Sequence, residues 1–462
     1  MSPYEGLFVP KLKSSIGHRE ILLRQCSVTN NGFLPEDEPL PRLRVPRDYY
    51  YFWEALVDRI PNLIQQKAFR DWVDRLLPVR STRYLKTEPE WRRAYVVLSF
   101  LAHAYIWGDD TPAEVLPPQI TVPFLEVSRH LGLPPVATYA SLNLWNFRTT
   151  NGSKDFTDLD SIHAVNTFTG TEDESWFYMV SVAIEAEGAR IIPVMLEALD
   201  GIEQQEYLSI TNALSQLADC IHKLTGLLDR MKERCDPSVF YHRIRPFLAG
   251  SKNMAAAGLP RGVFYDEGNG KGQWRELRGG SNGQSTLIQF LDLVLGVEHK
   301  ADGNSNPDQP ATTAERQEKK EMGYLEEVRA YMPEPHRKFL QRVSESYPGG
   351  MRRGVAKLVP GERPLTEEQL DLREAFQKAT KALADLRSKH LQIVAKYILI
   401  PSGRSRPDMD GKINLATVSS KTNTSMVVEG EPPRKLTGTG GTALMPFLRQ
   451  SRDETIRAGR LE

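Results

Sequence analysis

Disulfide-forming cysteine is nearly absent. Only Cys26, Cys220 and Cys235 occur in 462 residues; they form no C-x-x-C pair and leave one unpaired, which fits a reducing compartment. Cys220 and Cys235 read as helix-face residues rather than ligands. Net charge is absent too, with Lys and Arg numbering 59 and Asp and Glu 59. Such a balance leaves no global field to attract nucleic acid or an anionic membrane, and neither partner is expected. Long apolar runs are missing. The longest, Ala94 to Trp107, contains His103 and is too short to span a bilayer. The opening M-S-P-Y-E-G lacks the basic and apolar regions of a secretion signal, so a cytoplasmic protein is expected. No glycine cluster has the spacing or the Lys-Ser/Thr ending of a phosphate-binding loop, and G-N-G-K-G at 268–272 neither follows a strand nor opens a helix. Internal repeats and successions of alternating strands are also lacking. The fold expected is all-α, with at most minor β structure in its first part.

What is present is helical periodicity. Residues 1–45 read as a Pro-rich extended arm, followed by short amphipathic segments and a nearly all-apolar helix from about Glu88 to Trp107. His130 precedes Gly132, near which a helix should end, and reads as a partner of the helix dipole. A polar stretch around 146–158 suggests a boundary near 155, dividing a small N-terminal unit, 1–155, from a large helical unit, 156–462. In the second unit a helix is expected over about Glu203 to Lys232, and the glycine-dotted stretch 262–287 reads as a loop. A buried helix follows over 287–296. Helices are also expected from about Glu321 to Met332 and from His336 to Tyr347. Residues 299–318 and 402–436 lack apolar periodicity and read as flexible insertions.

The most informative stretch is Thr366 to Ile400. Thr366 and Gln369 form a capping-box pair, Glu367 and Glu368 favour the helix N-terminus, and no Gly or Pro intervenes before Pro401. The buried stripe reads Leu372, Phe376, Ala379, Leu383, Leu386, His390, Ile393, Tyr397. His390 stands where an aliphatic residue belongs. It is either a hydrogen-bonded core histidine or a metal or haem ligand held by a rigid helix. Arg387, one turn earlier, lies on nearly the same face and could reach a propionate.

The segment L-R-S-K-H-L-Q-I-V-A-K-Y-I-L-I-P resembles the proximal-histidine helix of the indoleamine 2,3-dioxygenase family. So, in the same order, do S-W-F-Y-M-V-S at 175–181, F-Y-H-R-I-R-P-F-L-A-G at 240–250, R-G-G-S-N-G-Q-S at 278–285 and G-T-G-G-T at 438–442. The match covers most of the chain, and its length suggests the fungal branch. The resemblance implies a haem b dioxygenase with His390 as the proximal iron ligand and Asp292 paired with Arg387. It implies Arg245 as a clamp for the substrate carboxylate, Phe240 against the indole, and Tyr139, Phe177 and Ser181 in the distal pocket. Leu142 and Asn143 join them there, Asn143 being unexpectedly polar. Ser281 falls near the cofactor and the substrate amino group, and Thr439 in a loop that closes over substrate. The implied reaction inserts O2 across the indole C2–C3 bond of L-tryptophan, giving N-formylkynurenine, at the head of the kynurenine route to NAD, in a monomer. A low-activity paralogue acting on another indoleamine and a non-enzymatic haem sensor are the alternatives.

Overall fold

The computed structural model describes residues 16–44, 48–299, 324–361, 364–402 and 444–461. The expected insertions, apart from their edges, and Thr439 with the G-T-G-G-T segment lie outside the described residues. Helices dominate. The longer ones are α1 (Ile16–Gln25), α2 (Glu88–Trp107), α3 (Pro118–Leu131), α4 (Glu172–Glu187), α5 (Ile191–Gln204), α6 (Tyr207–Asp229), α7 (Thr286–Leu295), α8 (Glu334–Ser346), α9 (Gly350–Leu358), α10 (Glu367–Val394) and α11 (Leu444–Ala458).

The helix α2 starts where the sequence says it should. The Glu90 carboxylate accepts from the Thr87 N–H at 2.8 Å, closing a capping box. Its apolar circumference is buried from Arg93 to Trp107 and forms the axis of one core, which also takes in Trp53, Phe124, Phe168 and Phe247. The cation inside that helix, Arg93, is buried and satisfied. Its guanidinium donates to Glu54 at 2.5 and 3.1 Å and to Asn166 at 2.6 Å. A second core gathers around α5, α6, α7 and α10. There α10 lies along α6 for much of its length and receives α11 on another face.

Several expectations need correction, among them the extended arm, which carries α1 over Ile16–Gln25. The helix expected from Glu203 begins at Tyr207, because Gln205 adopts a left-handed conformation (φ 58°) that caps α5. Without a glycine there the stop carries no sequence signal. The stretch read as a loop contains a hairpin, β4 (Val263–Gly268) and β5 (Lys271–Arg275), and β4 also pairs in parallel with β1 (Val115–Leu116). The glycines that suggested a loop make its turn, with Gly268 and Gly270 at φ 81° and 73°. A second small sheet pairs β2 (Phe147–Thr149) with β3 (Ile162–Ala164), so the β structure is not confined to the first unit. The helix read as continuous to Ile400 widens into a π turn over Ala395–Leu399 before a last short turn, Ile400–Ser402. A further correction concerns His299, expected in a surface insertion: it is largely buried between two helices, as described below.

His130 does sit in the last turn of α3, and Gly132 caps that helix at φ 65°. Its ring stacks on Trp91 at 3.9 Å, and Nε2 faces Glu88 at 3.4 Å.

Candidate functional site

Three π turns, the loop 278–285 and residues of the helices α4, α6, α7, α10 and α11 line one large pocket. Its cavity volume is about 260 Å³. The described residues Tyr139, Phe177, Ser181, Phe240, Arg245, Ser281, Asp292, Arg387 and His390 all line it, as do Leu142 and Asn143. In the sequence they are scattered from Tyr139 to His390.

The π turns explain part of this convergence. In an α-helix, residues five apart point about 140° away from each other. Phe240–Ile244 is instead a π turn leading into the short helix Arg245–Leu248. Its i→i+5 hydrogen bonding widens the turn, and Phe240 and Arg245 both reach the pocket. A second π turn, Ala140–Leu144, presents Leu142 and Asn143, and the third, Ala395–Leu399, presents Tyr397.

Aromatic rings form one corner. Phe240 meets Phe177 at 4.9 Å, and Tyr397 edge-on at 5.8 Å. Arg245 is 2 % exposed, with its guanidinium carbon 5.4 Å from the Tyr241 ring centroid. Burial lowers its pKa, so an anion entering the pocket meets a poorly hydrated cation.

The loop 278–285 is fitted between neighbours. A Cβ on Gly280 would lie 2.4 Å from Leu142 Cδ1, and one on Gly279 would lie 2.0 Å from the Leu248 carbonyl oxygen. Gln284 ties the loop to the first π turn by donating to the Gly279 carbonyl and accepting from the Tyr139 N–H, both at 2.8 Å. Ser281 shares a hydrogen bond with Tyr324 at 3.1 Å.

On α10, His390 projects into the pocket and makes no hydrogen bond among the described residues. Burial, reinforced by Arg387, pushes its pKa down to about 4, so the imidazole is neutral at physiological pH. A neutral ring with no competing partner is the form that binds a metal. Among the described residues no three His, Cys, Asp or Glu side chains converge on a metal position. A metal held by His390 would therefore draw further ligands from a group that brings its own.

Beside it, Arg387 donates from Nη2 to both oxygens of Asp292, at 2.6 and 2.7 Å, and from Nη1 to Thr455. Asp292 is 4 % exposed, not solvent-facing. Burial would raise its pKa, but Arg387 and His299 together hold it below the usual carboxylate range. His299 bridges Asp292 (3.1 Å) and Glu454 of α11 (2.8 Å).

Sequence reasoning missed several members. Glu185 lies one turn beyond Ser181 on α4, and its Oε1 accepts from the Tyr139 phenol at 3.0 Å and Ser285 at 2.6 Å. A carboxylate in an otherwise apolar helical segment was the available signal. Tyr324, Phe447 and Ser451 also face the pocket, but no pattern in the sequence marks them.

A family model described as indoleamine 2,3-dioxygenase matches residues 23–458. An indoleamine 2,3-dioxygenase of Saccharomyces cerevisiae is 39% identical, covering 94% of this chain and 93% of the relative. One of Penicillium citrinum is 38% identical over 95% and 89%. A 6-hydroxytryptophan 2,3-dioxygenase of Fusarium equiseti is 35% identical over 97% and 98%. Helical architecture, pocket and full-length similarity lead to one assignment: the chain belongs to the indoleamine 2,3-dioxygenase family of haem dioxygenases.

Proposed function

We propose that this pocket binds haem b through His390 and, beside it, L-tryptophan, and that both atoms of O2 enter across the indole C2–C3 bond to give N-formylkynurenine. The same reading makes the protein the entry point of tryptophan breakdown toward NAD. The observation that carries it is the neutral imidazole of His390, without a hydrogen-bond partner among the described residues, on the wall of a pocket that also contains the buried Arg245. The residues present suit the group. The His390 imidazole would hold its iron, and the aliphatic side chains of Leu383, Leu386 and Ile393 on α10 line the pocket beside it. Haem, when bound, supplies the iron at which O2 is activated.

The chain's own part is positioning. Arg245 would pair with the substrate carboxylate through its planar fork. Phe240 and Phe177 would flank the indole, and their apolar faces would exclude water from it. Ser181 Oγ would accept the indole N–H. Asp292 engages Arg387 through both oxygens, which fixes the guanidinium next to His390. Ser281 and Thr439 are assigned to the substrate amino end and the closing loop on the family resemblance alone. No histidine other than His390 lines the pocket among the described residues, and no general base is invoked. No described helix is long and apolar enough to cross a membrane.

The test is direct. Purified protein loaded with haem should show a Soret band and convert L-tryptophan to N-formylkynurenine. His390→Ala should lose the band while keeping its helical circular dichroism. A variant with an unchanged Soret band would overturn the ligand assignment.

A further inference from the structure

One carboxyl beside the pocket has no part in the reading above. Glu185 is buried on α4, one turn beyond Ser181. Its Oε1 takes two hydroxyl hydrogens at once, from Tyr139 at 3.0 Å and from Ser285 at 2.6 Å. Each hydroxyl has a single hydrogen, so both are committed to this one oxygen. The two donors stand on different walls. Tyr139 leads into the π turn Ala140–Leu144, which packs against α4. Ser285 caps α7, its Oγ accepting from the Ile288 N–H at 3.2 Å. Both residues line the pocket, as does Ser181 of α4. One oxygen therefore joins three walls. The packing at the joint is close: a Cβ on Gly188, which ends α4, would lie 2.3 Å from Leu287 Cδ2 of α7.

We infer that Glu185 is a positioning residue for the reaction: as the shared acceptor of Tyr139 and Ser285, it sets the separation of the walls that hold the indole. This deepens the reading above and rests on it. Fold alone gives little reason for a carboxyl here. Among the described residues no cation pairs with Glu185, and burial opposes its charge. An apolar side chain would fill the space without that penalty, and departures of this kind collect at functional sites. Remove the acceptor, and two buried hydroxyls lose their partner. Each must then find another or admit water, and the walls that carry them shift. An indole between displaced walls is misplaced for the chemistry, although Arg245 can still take its carboxylate. His390 and α10 lie outside this joint, so haem binding should not depend on it.

The experiment compares haem-loaded wild type, Glu185→Gln and Glu185→Met. It measures kcat/KM for L-tryptophan, its Kd by equilibrium dialysis, and haem loading by the Soret band. Glutamine keeps a carbonyl oxygen for both hydroxyls, whereas methionine has similar length and no oxygen. Glu185→Met should keep the Soret band and lower kcat/KM by roughly ten- to a hundredfold, and Glu185→Gln should recover most of that loss. Tyr139→Phe completes a cycle. If Glu185 acts through the phenol, the Glu185→Met/Tyr139→Phe double variant should lose less than the product of the two single losses. Wild-type kcat/KM in Glu185→Met, no recovery in Glu185→Gln, or losses that simply multiply would each overturn the assignment. Should the methionine variant fail to load haem, Tyr139→Phe and Ser285→Ala decide, since each cuts one of the two bonds. Both should lower kcat/KM, and wild-type values in both overturn the assignment. Failure of the underlying reading looks different: the wild type would neither bind nor convert L-tryptophan.

Discussion

Replacing Glu185 by glutamine tests whether a buried carboxyl near the pocket makes the protein's stability fall as pH rises. Glu185 is 1 % exposed. Its Oε1 accepts two hydroxyl hydrogens, from Tyr139 and Ser285, while Oε2 is buried without a hydrogen-bond partner among the described residues. Burial dominates, and it raises the pKa from 4.5 to about 7 against the opposing pull of the two hydroxyls. Below pH 4.5 the group is protonated in both the folded and unfolded chain and imposes no penalty. Between 4.5 and about 7 the unfolded chain ionises while the folded one holds its proton, so stability declines with rising pH, levelling off above 7. At about 1.4 kcal/mol per tenfold change in proton affinity, the loss is about 3 kcal/mol. The Glu185→Gln variant keeps an oxygen for the two hydroxyls but cannot ionise. Urea denaturation of the two proteins at several values between pH 4.5 and 8 should show the difference in unfolding free energy shifting by about 3 kcal/mol in favour of the variant toward alkaline pH. Whatever constant cost the amide –NH2 adds cancels in that comparison. Parallel pH profiles for the two proteins would refute the reasoning.

Three further outcomes are expected. Arg245→Ala should retain haem, by its Soret band, and weaken tryptophan binding by about 2–5 kcal/mol, the range for removing one partner of a buried charge pair; unchanged binding would show that the carboxylate sits elsewhere. His103 accepts from the Ala137 N–H at 2.9 Å through Nε2, so its Nδ1–H must donate to the Phe247 carbonyl at 2.7 Å. Burial lowers its pKa from 6.5 to about 4, so stability should fall as pH drops below 6.5 and level off near 4. His103→Leu should cost about 2–4 kcal/mol at neutral pH and flatten that acid limb, which denaturation series at pH 4 to 7 can check. His299→Ala should leave Glu454 facing Asp292 without its bridge and loosen α11, raising hydrogen exchange across 445–458; protection equal to the wild type would show that the bridge is idle.

How legible was this molecule in its sequence? The α10 helix is plain because every signal agrees: the Thr366–Gln369 box, the apolar stripe and the wait until Pro401. His390 stands out against that stripe for the same reason. The convergence of Arg245, Ser181 and Tyr139 on one pocket rests instead on family resemblance, since contacts between distant segments leave no periodicity. Glu185 was within reach, being a charged residue in an apolar helical segment. His299 was not: it sits among polar residues that resemble an insertion, and only the carboxylates of Asp292 and Glu454, one of them 155 residues away, reveal why it is buried. The left-handed Gln205 fails for another reason, because tertiary packing imposes there a conformation that local preference disfavours.

The three widened turns at 140–144, 240–244 and 395–399 have an evolutionary corollary. Each behaves as a helix carrying one surplus residue, so losing a single amino acid at any of them would restore ordinary winding, leave the flanking turns in phase and take one residue out of the pocket wall. Length changes at these three places would thus reshape the cavity while sparing the helices around it.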